Sequence, residues 1–449
     1  MRDIVLTITF IGLIPFVIMR PWIGVLVWSW IGYMNPHKLG WGFTTSLPVA
    51  MMFGGLTLAT MFFSKDWKGV PLTWETVILF LLGVLFTVTT YFAWMPEYAW
   101  EEWDKVMKIL LFTFVTMMLI HGRQRIYALL VVIAVSIGFF GVKGGIFAIT
   151  TGGENRVLGP PGSFIEGNTS LGLALIMVLP LIMMLARHAS NKWLRRGGYL
   201  SALLTIVATI FTYSRGAFIG LAAILPFIFL KSNKKILVLL LIIPLAWVGP
   251  DLLPDKLIHR AGTIQSYEED NSSMQRIQAW GVAWNVALSR PLIGAGFRLE
   301  DAPDSQWLRY AMFLGDWKNR ARAAHSIFFQ MLGEHGFTGL ILFVLLLVFT
   351  FYTLARVKRA SRKLEGSEWI GEFATALQIG LIGYLVAGAF LSLAYYDLFY
   401  AYVALAVIMQ REVSMRTEKT MVHRAGTVQA RPDPPMPRKE RSWVSARRS

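Results

Sequence analysis

Apolar runs of spanning or near-spanning length recur along most of this sequence, and nothing constrains its fold more. They lie at about 4–19, 22–34, 46–63, 76–93, 104–120, 125–147, 168–186, 199–213, 216–230, 235–249, 336–354, 369–392 and 396–410. A bilayer core offers no water to backbone N–H and C=O groups, so runs of this kind must satisfy them internally as helices. The expected class is therefore an all-α integral membrane protein, a polytopic helical bundle. Thirteen runs place the two termini on opposite sides, and the first two are short. One of those two is expected not to span, which gives about twelve transmembrane helices with both ends in the cytoplasm.

Charge and aromatic placement orient the bundle. The formal charge of +16 is concentrated in short loops, at Lys65/Lys68, Arg123/Arg125, Arg187 to Arg196, Lys231 to Lys235 and Arg356 to Lys363, and in the tail. Positive-inside bias accounts for this better than nucleic-acid binding, which is not expected. Tryptophans such as Trp22, Trp28, Trp67, Trp94, Trp100, Trp103 and Trp247 sit near the ends of runs, as interfacial anchors do. The absence of cysteine excludes a disulfide frame, a thiolate metal site and a cysteine nucleophile. No cleavable signal peptide is apparent, because Arg20-Pro21 and more apolar sequence follow the first run.

Three units follow: a membrane domain over 1–410, a loop subdomain over 250–337 within it, and a disordered basic cytoplasmic tail over 411–449. Alternation puts the aromatic, acidic turn at 95–104, the Gly-rich loop at 150–167, the turn at 213–216 and the long segment at 250–337 on the outer side. So long a connection is expected to fold and carry function. Within it, Ser272-Ser273-Met274-Gln275 fits a capping box. The stripe Ile277, Trp280, Gly281, Trp284, Ala287, Leu288 then has helical spacing, which predicts an amphipathic helix over 273–289 near the membrane surface.

Candidate chemistry gathers on that side. An arginine at the centre of a spanning helix costs roughly 2.5 to 3.5 kcal/mol, so Arg215, between two apolar runs, belongs at a boundary or facing a polar cavity. Arg276 falls in the first turn of the expected surface helix, and Arg156 lies in the loop whose glycines and prolines let backbone approach a ligand. Arginine beside helix N-terminal N–H groups suits an anion. Pairing with outer-loop carboxylates is the competing structural role, since ten acidic and nine basic residues share 250–337. Of seven histidines, His259, His325 and His335 fall on this side, while His121, His188 and His423 do not and His37 is ambiguous. None sits in an HExxH pair or a tight carboxylate cluster, so no metal site is expected, although Glu268-Glu269-Asp270 and Asp301/Asp304 leave some room for a divalent ion. His325, at a loop-to-helix junction, has the residue type of a neutral-pH base.

Three motifs carry a resemblance: Thr212-Tyr213-Ser214-Arg215-Gly216-Ala217; Arg276 and Trp280 followed by Arg290-Pro291-Leu292-Ile293-Gly294-Ala295-Gly296; and Ala324-His325-Ser326 before Gly333-Glu334-His335-Gly336-Phe337-Thr338-Gly339-Leu340. Arg156-Val157-Leu158-Gly159 with Asn168 is similar to a fourth. Together they resemble the O-antigen ligase family over about 125–410. The start, Arg20-Pro21-Trp22-Ile23-Gly24-Val25-Leu26-Val27-Trp28 through Met34-Asn35-Pro36-His37, looks like the exosortase-associated O-glycosylation ligase branch. Ser326 departs from the asparagine many relatives carry there.

The resemblance implies a GT-C type fold in the bacterial inner membrane. It also implies transfer of a glycan from undecaprenyl pyrophosphate to an acceptor at the periplasmic face. Arg215, Arg276 and Arg156 would then hold the donor pyrophosphate and His325 would be catalytic, with Ser214, Trp280, Glu334 and His335 supporting. No cofactor is expected. The lipid A core oligosaccharide is the leading acceptor, with a protein serine or threonine and a growing glycan as rivals. A transporter of lipid-linked sugars would instead set its arginines near the midplane on broken helices.

Overall fold

The computed structural model describes residues 1–231 and 271–429. Fourteen α-helices and no strand occur among the described residues. In chain order they are α1 (Arg2–Met19), α2 (Pro21–Met34), α3 (Val49–Phe63), α4 (Trp74–Tyr91), α5 (Pro96–Leu119), α6 (Gly122–Thr150), α7 (Asn168–His188), α8 (Lys192–Ile210), α9 (Arg215–Lys231), α10 (Asn271–Ser289), α11 (Asp304–Trp307), α12 (Ile327–Ser361), α13 (Glu368–Gly388) and α14 (Asp397–Gln429). The run at 235–249, His259, Glu268, Glu269 and Asp270 lie outside the described residues.

Twelve of the thirteen apolar runs coincide with a helix or part of one. Seven helices are long and apolar enough to cross a membrane: α1, α4, α6, α7, α12, α13 and the part of α14 from Asp397 to Val422. The others fall short for local reasons. α2 has 14 residues, about 21 Å of rise against a hydrocarbon core of about 30 Å. α3 and α9 are also short, α8 opens on Lys192, Arg195 and Arg196, and α5 carries its charges in the first turns. Of the first two helices, the one of spanning length is α1, although only 11 % of its apolar window is buried by protein, which leaves most of its sides facing outward.

The core is built around α7, α13 and α14. Leu171 through Leu181 of α7 are all buried, and Leu398, Phe399, Tyr400, Tyr402 and Val403 of α14 are completely so. Helices buried on every side must be apolar all round.

Three boundaries differ from the sequence expectation. The 95–104 stretch, expected as a turn, forms the first turns of α5, because Pro96 at the first helical position and Glu97 beside it are helix-start chemistry. Of the tail expected to be disordered over 411–449, 430–449 lies outside the described residues, while the part at 411–429 continues α14. There Glu412 and Val413 are buried, Arg411 donates to the Ile120 carbonyl at 2.9 Å, and Arg416 bonds Glu412 at 2.9 Å and Ser367 at 3.1 Å. Tertiary anchorage of that kind overrides a polar composition. Finally, α12 begins at Ile327, inside the expected loop subdomain, and bends at Gly336 (φ 66°, ψ −167°) close to where the sequence placed its start.

The bend accounts for its own broken hydrogen bonds. Gly333 and Glu334 carbonyls accept from Ala295 and Gly296 N–H at 2.9 and 2.8 Å, and Phe337 N–H donates to the Pro291 carbonyl at 2.8 Å. A Cβ on Gly336 would stand 2.4 Å from that carbonyl on a backbone that L-residues rarely adopt. Gly336→Ala is therefore expected to destabilise the fold by on the order of 1–3 kcal/mol or more. Thermal unfolding in detergent should show a clear fall in midpoint, and an unchanged midpoint would contradict this account of the bend.

Candidate functional site

Three helix N-termini converge at one end of the bundle, those of α9, α10 and α12. Ser214 precedes α9, accepting from Ala217 N–H through its side chain at 3.2 Å and from Phe218 N–H through its carbonyl at 2.9 Å. Arg215 is thereby the first helical residue, half-buried, and its Nη1 donates to Ser273 Oγ in the first turn of α10 at 3.3 Å. Gly216 lets this corner settle on the end of α13, since a Cβ there would lie 3.3 Å from Phe390 Cβ.

The α10 helix spans the expected residues and starts earlier, so Ser272 lies within it rather than capping it. Its protein-facing side is made of small residues, Ala279, Val282, Ala283, Val286 and Ala287, while Trp284 and Leu288 of the expected apolar stripe stay exposed. Gln278 ties the helix to the connection before α12 through the Phe313 carbonyl at 2.8 Å and Asn319 at 2.9 Å. Trp280 stacks on Phe329 with ring centres 5.1 Å apart and donates to the Ala324 carbonyl at 2.7 Å. That bond fixes the residue beside His325.

His325 itself is exposed and held in the left-handed region (φ 47°), its N–H bonded to Ser392 Oγ at 2.8 Å. Surrounding protein lowers its pKa from the ordinary 6.5, and the positive charges of Arg276 and Arg322 lower it further. All three influences act in the same direction, so each favours the neutral imidazole. Arg322 is oriented by the carbonyls of Lys318 at 3.0 Å and Arg320 at 3.2 Å. The connection between α6 and α7 closes the other flank. Val157 N–H donates to the Phe211 carbonyl at 3.0 Å, Tyr213 hydroxyl to that of Gly153, and Asn168 to that of Thr212 at 2.8 Å. Exposed Arg156 lies near enough to Tyr213 for its charge to act on that phenol.

Arg215, Arg276, His325, Trp280 and Ser214 thus meet at one corner, with Arg156 on the adjoining loop. Glu334 and His335 do not join it at the surface. His335 is fully buried between Thr89 Oγ1 at 2.8 Å and Tyr395 hydroxyl at 2.7 Å, and Tyr395 donates to Glu334. Glu334 also accepts from Arg298 N–H at 3.3 Å. This network locks α4, α12 and the segment after α13 together. A cavity of about 10 Å³, the size of one water, separates Glu334 and Glu300 from Arg322 and Ser392. His335→Ala would take one hydrogen bond from each of two buried hydroxyls, which keep Phe86 and Glu334 as partners, at about 0.5–1.5 kcal/mol each. It should lower the unfolding midpoint, and a variant of normal stability with impaired donor binding would place His335 in the site instead.

Other sequence candidates are engaged structurally. Asp301 accepts from Arg298 at 2.6 Å and Asp304 from Ala321 N–H at 2.7 Å, while Arg290 of the second motif donates to the Phe92 carbonyl at 2.8 Å. Among the described residues, no three His, Cys, Asp or Glu side chains cluster as metal ligands. Sequence reasoning passed over Arg322 and Ser392. The Arg320-Ala321-Arg322 pattern before His325 signalled the first, and nothing local signals the second.

Residues 200–344 match the family model described as O-Antigen ligase, and residues 1–190 match a family of unknown function (DUF5935). No curated protein matches the chain. Arg215, Arg276 and His325 fall inside the first match and Arg156 inside the second.

Proposed function

We propose that this integral-membrane protein, whose O-antigen ligase domain makes it a lipid-linked glycan transferase, moves a glycan from undecaprenyl pyrophosphate to a lipid A core hydroxyl at the periplasmic face of the bacterial inner membrane. The observation that carries the reading is the convergence of the α9, α10 and α12 N-termini with Arg215, Arg276 and His325. Helix N-termini and arginine forks both favour a dianionic pyrophosphate.

In this reading His325 takes the acceptor hydroxyl proton as the oxygen bonds to the anomeric carbon. The bond from that carbon to the pyrophosphate oxygen breaks on the opposite face, inverting the centre. Arg215 and Arg276, with Arg156 at the rim, neutralise the departing undecaprenyl pyrophosphate, so no divalent metal or cofactor is required. The left-handed backbone at His325 is the kind of local strain that functional sites hold. About twelve spanning helices in a GT-C type arrangement would set this corner at the outer surface, and the exposed Trp284 and Leu288 of α10 would rest on lipid.

A protein serine or threonine, or a growing glycan, would use the same donor and base. Purified protein given an undecaprenyl-pyrophosphate glycan and each acceptor separately, in EDTA, tests the reading. Transfer to lipid A core without metal is expected. Transfer only to peptide or glycan would reassign the acceptor, and activity restored only by magnesium or manganese would overturn the arginine-based account.

A further inference from the structure

A large cavity lies away from the arginine corner, in the N-terminal part of the chain. It measures about 560 Å³, within the usual range for a small-molecule site, and lies between α2, α3, α5, the 162–164 loop and the start of α14. Its apolar lining includes Trp28, Ile31, Ile109 and Phe112, with Trp28 stacked on Phe112 at 3.8 Å. Its polar lining includes Asn35, His37, Asp104, Lys105, Lys108 and Asp397.

The two lysines that line the cavity are each paired with a carboxylate. Lys108 bonds Asp104 at 2.5 Å, and Lys105 bonds Glu102 at 3.1 Å while lying 4.2 Å over the Phe164 ring. Unused hydrogen-bonding capacity remains at His37 Nδ1 and Asp397 Oδ1, which are buried in the lining without a partner. Leaving such atoms unmet is unfavourable, and an uncharged hydroxyl-bearing ligand would supply their partners after a small side-chain rotation. Neither lysine of the lining is left without a carboxylate for an anionic head to meet.

We propose that this cavity binds an amphiphile with an uncharged, polyhydroxylated head of the sugar class, the head against Asp397 and His37 and the hydrocarbon along Trp28, Ile31 and Phe112. The site is separate from the arginine corner yet shares structure with it. The segment from Ser392, which holds His325, to Asp397 forms part of both, and Phe164 of the 151–167 connection packs near Tyr396 at 6.3 Å. The inference stands on the cavity and does not depend on the chemistry at His325.

Quenching of tryptophan fluorescence tests it. The protein in lipid nanodiscs is titrated with an alkyl glucoside brominated in its tail, and with the same tail carrying a phosphocholine or a phosphate head. Saturable quenching by the glucoside is expected, lost in Trp28→Phe and in the cavity-filling Ala50→Phe, and weakened about tenfold by Asp397→Asn, the equivalent of one hydrogen bond. Circular dichroism melts confirm that each variant is folded. Equal quenching by all three heads, or quenching that survives Trp28→Phe, would overturn the site. Preference for the phosphate head would overturn the class of ligand assigned to it.

Discussion

His325→Ala protein should bind undecaprenyl-pyrophosphate glycan normally and transfer it at least about a hundredfold more slowly, the usual contribution of a positioned base. Because His325 is exposed and carries its backbone strain at a loop junction, the substitution should leave the fold intact. The pH profile separates base from cation. Desolvation by the surrounding protein, Arg276 and Arg322 all lower the His325 pKa, so the neutral form persists to a pH below the ordinary 6.5. A base is lost when it is protonated, so the rate should be level through neutrality and fall as pH drops through that lowered value. Removing the positive charge in Arg276→Ala raises the pKa, and the acid limb of its residual activity should shift to higher pH. A rate that rises on acidification, together with lost donor binding in His325→Ala, would assign His325 to holding phosphate instead.

Arg215→Ala and Arg276→Ala should each weaken the interaction with the donor in the transition state by about 1.5–3 kcal/mol per lost charge-assisted bond, which is about ten- to more than a hundredfold in kcat/KM. Lysine should restore only part of this, because an ammonium lacks the guanidinium fork. Arg215 also bonds Ser273, so a purely structural tie between α9 and α10 is the rival explanation. Ser273→Ala breaks that bond and keeps the charge. Near-normal transfer by Ser273→Ala beside a disabled Arg215→Ala supports the clamp. Equal losses in the two variants, with lowered stability, would make Arg215 a structural residue.

Part of this site is legible from the sequence and part is not. The Ser214-Arg215 corner can be read because two apolar runs flank a residue that cannot stay in lipid. The α10 helix can be read from its spacing, but not which of its faces is buried. Of the expected stripe, Gly281 and Ala287 are buried while Trp284 and Leu288 are exposed, and the buried face adds Ala279, Val282, Ala283 and Val286, small residues that allow close approach. Glu334 and His335 look like site residues because they sit in a motif beside His325. The bend at Gly336 and the pairing with Ala295 and Gly296 turn them inward to Thr89 and Tyr395 instead.

By itself the sequence determined that the chain is an all-helical membrane protein, where most helices lie, and that an arginine must sit at the α8–α9 boundary. These are local consequences of apolar length and of the cost of charge in lipid, and they need no knowledge of neighbours. Only the tertiary structure decided that Arg215 meets Ser273 across 58 residues and that Ser392 holds His325 across 67. It also decided that the polar residues after 411 are anchored in a continued helix. Such meetings depend on which helices pack side by side and at what height, and that choice is made by shape complementarity summed over many distant side chains.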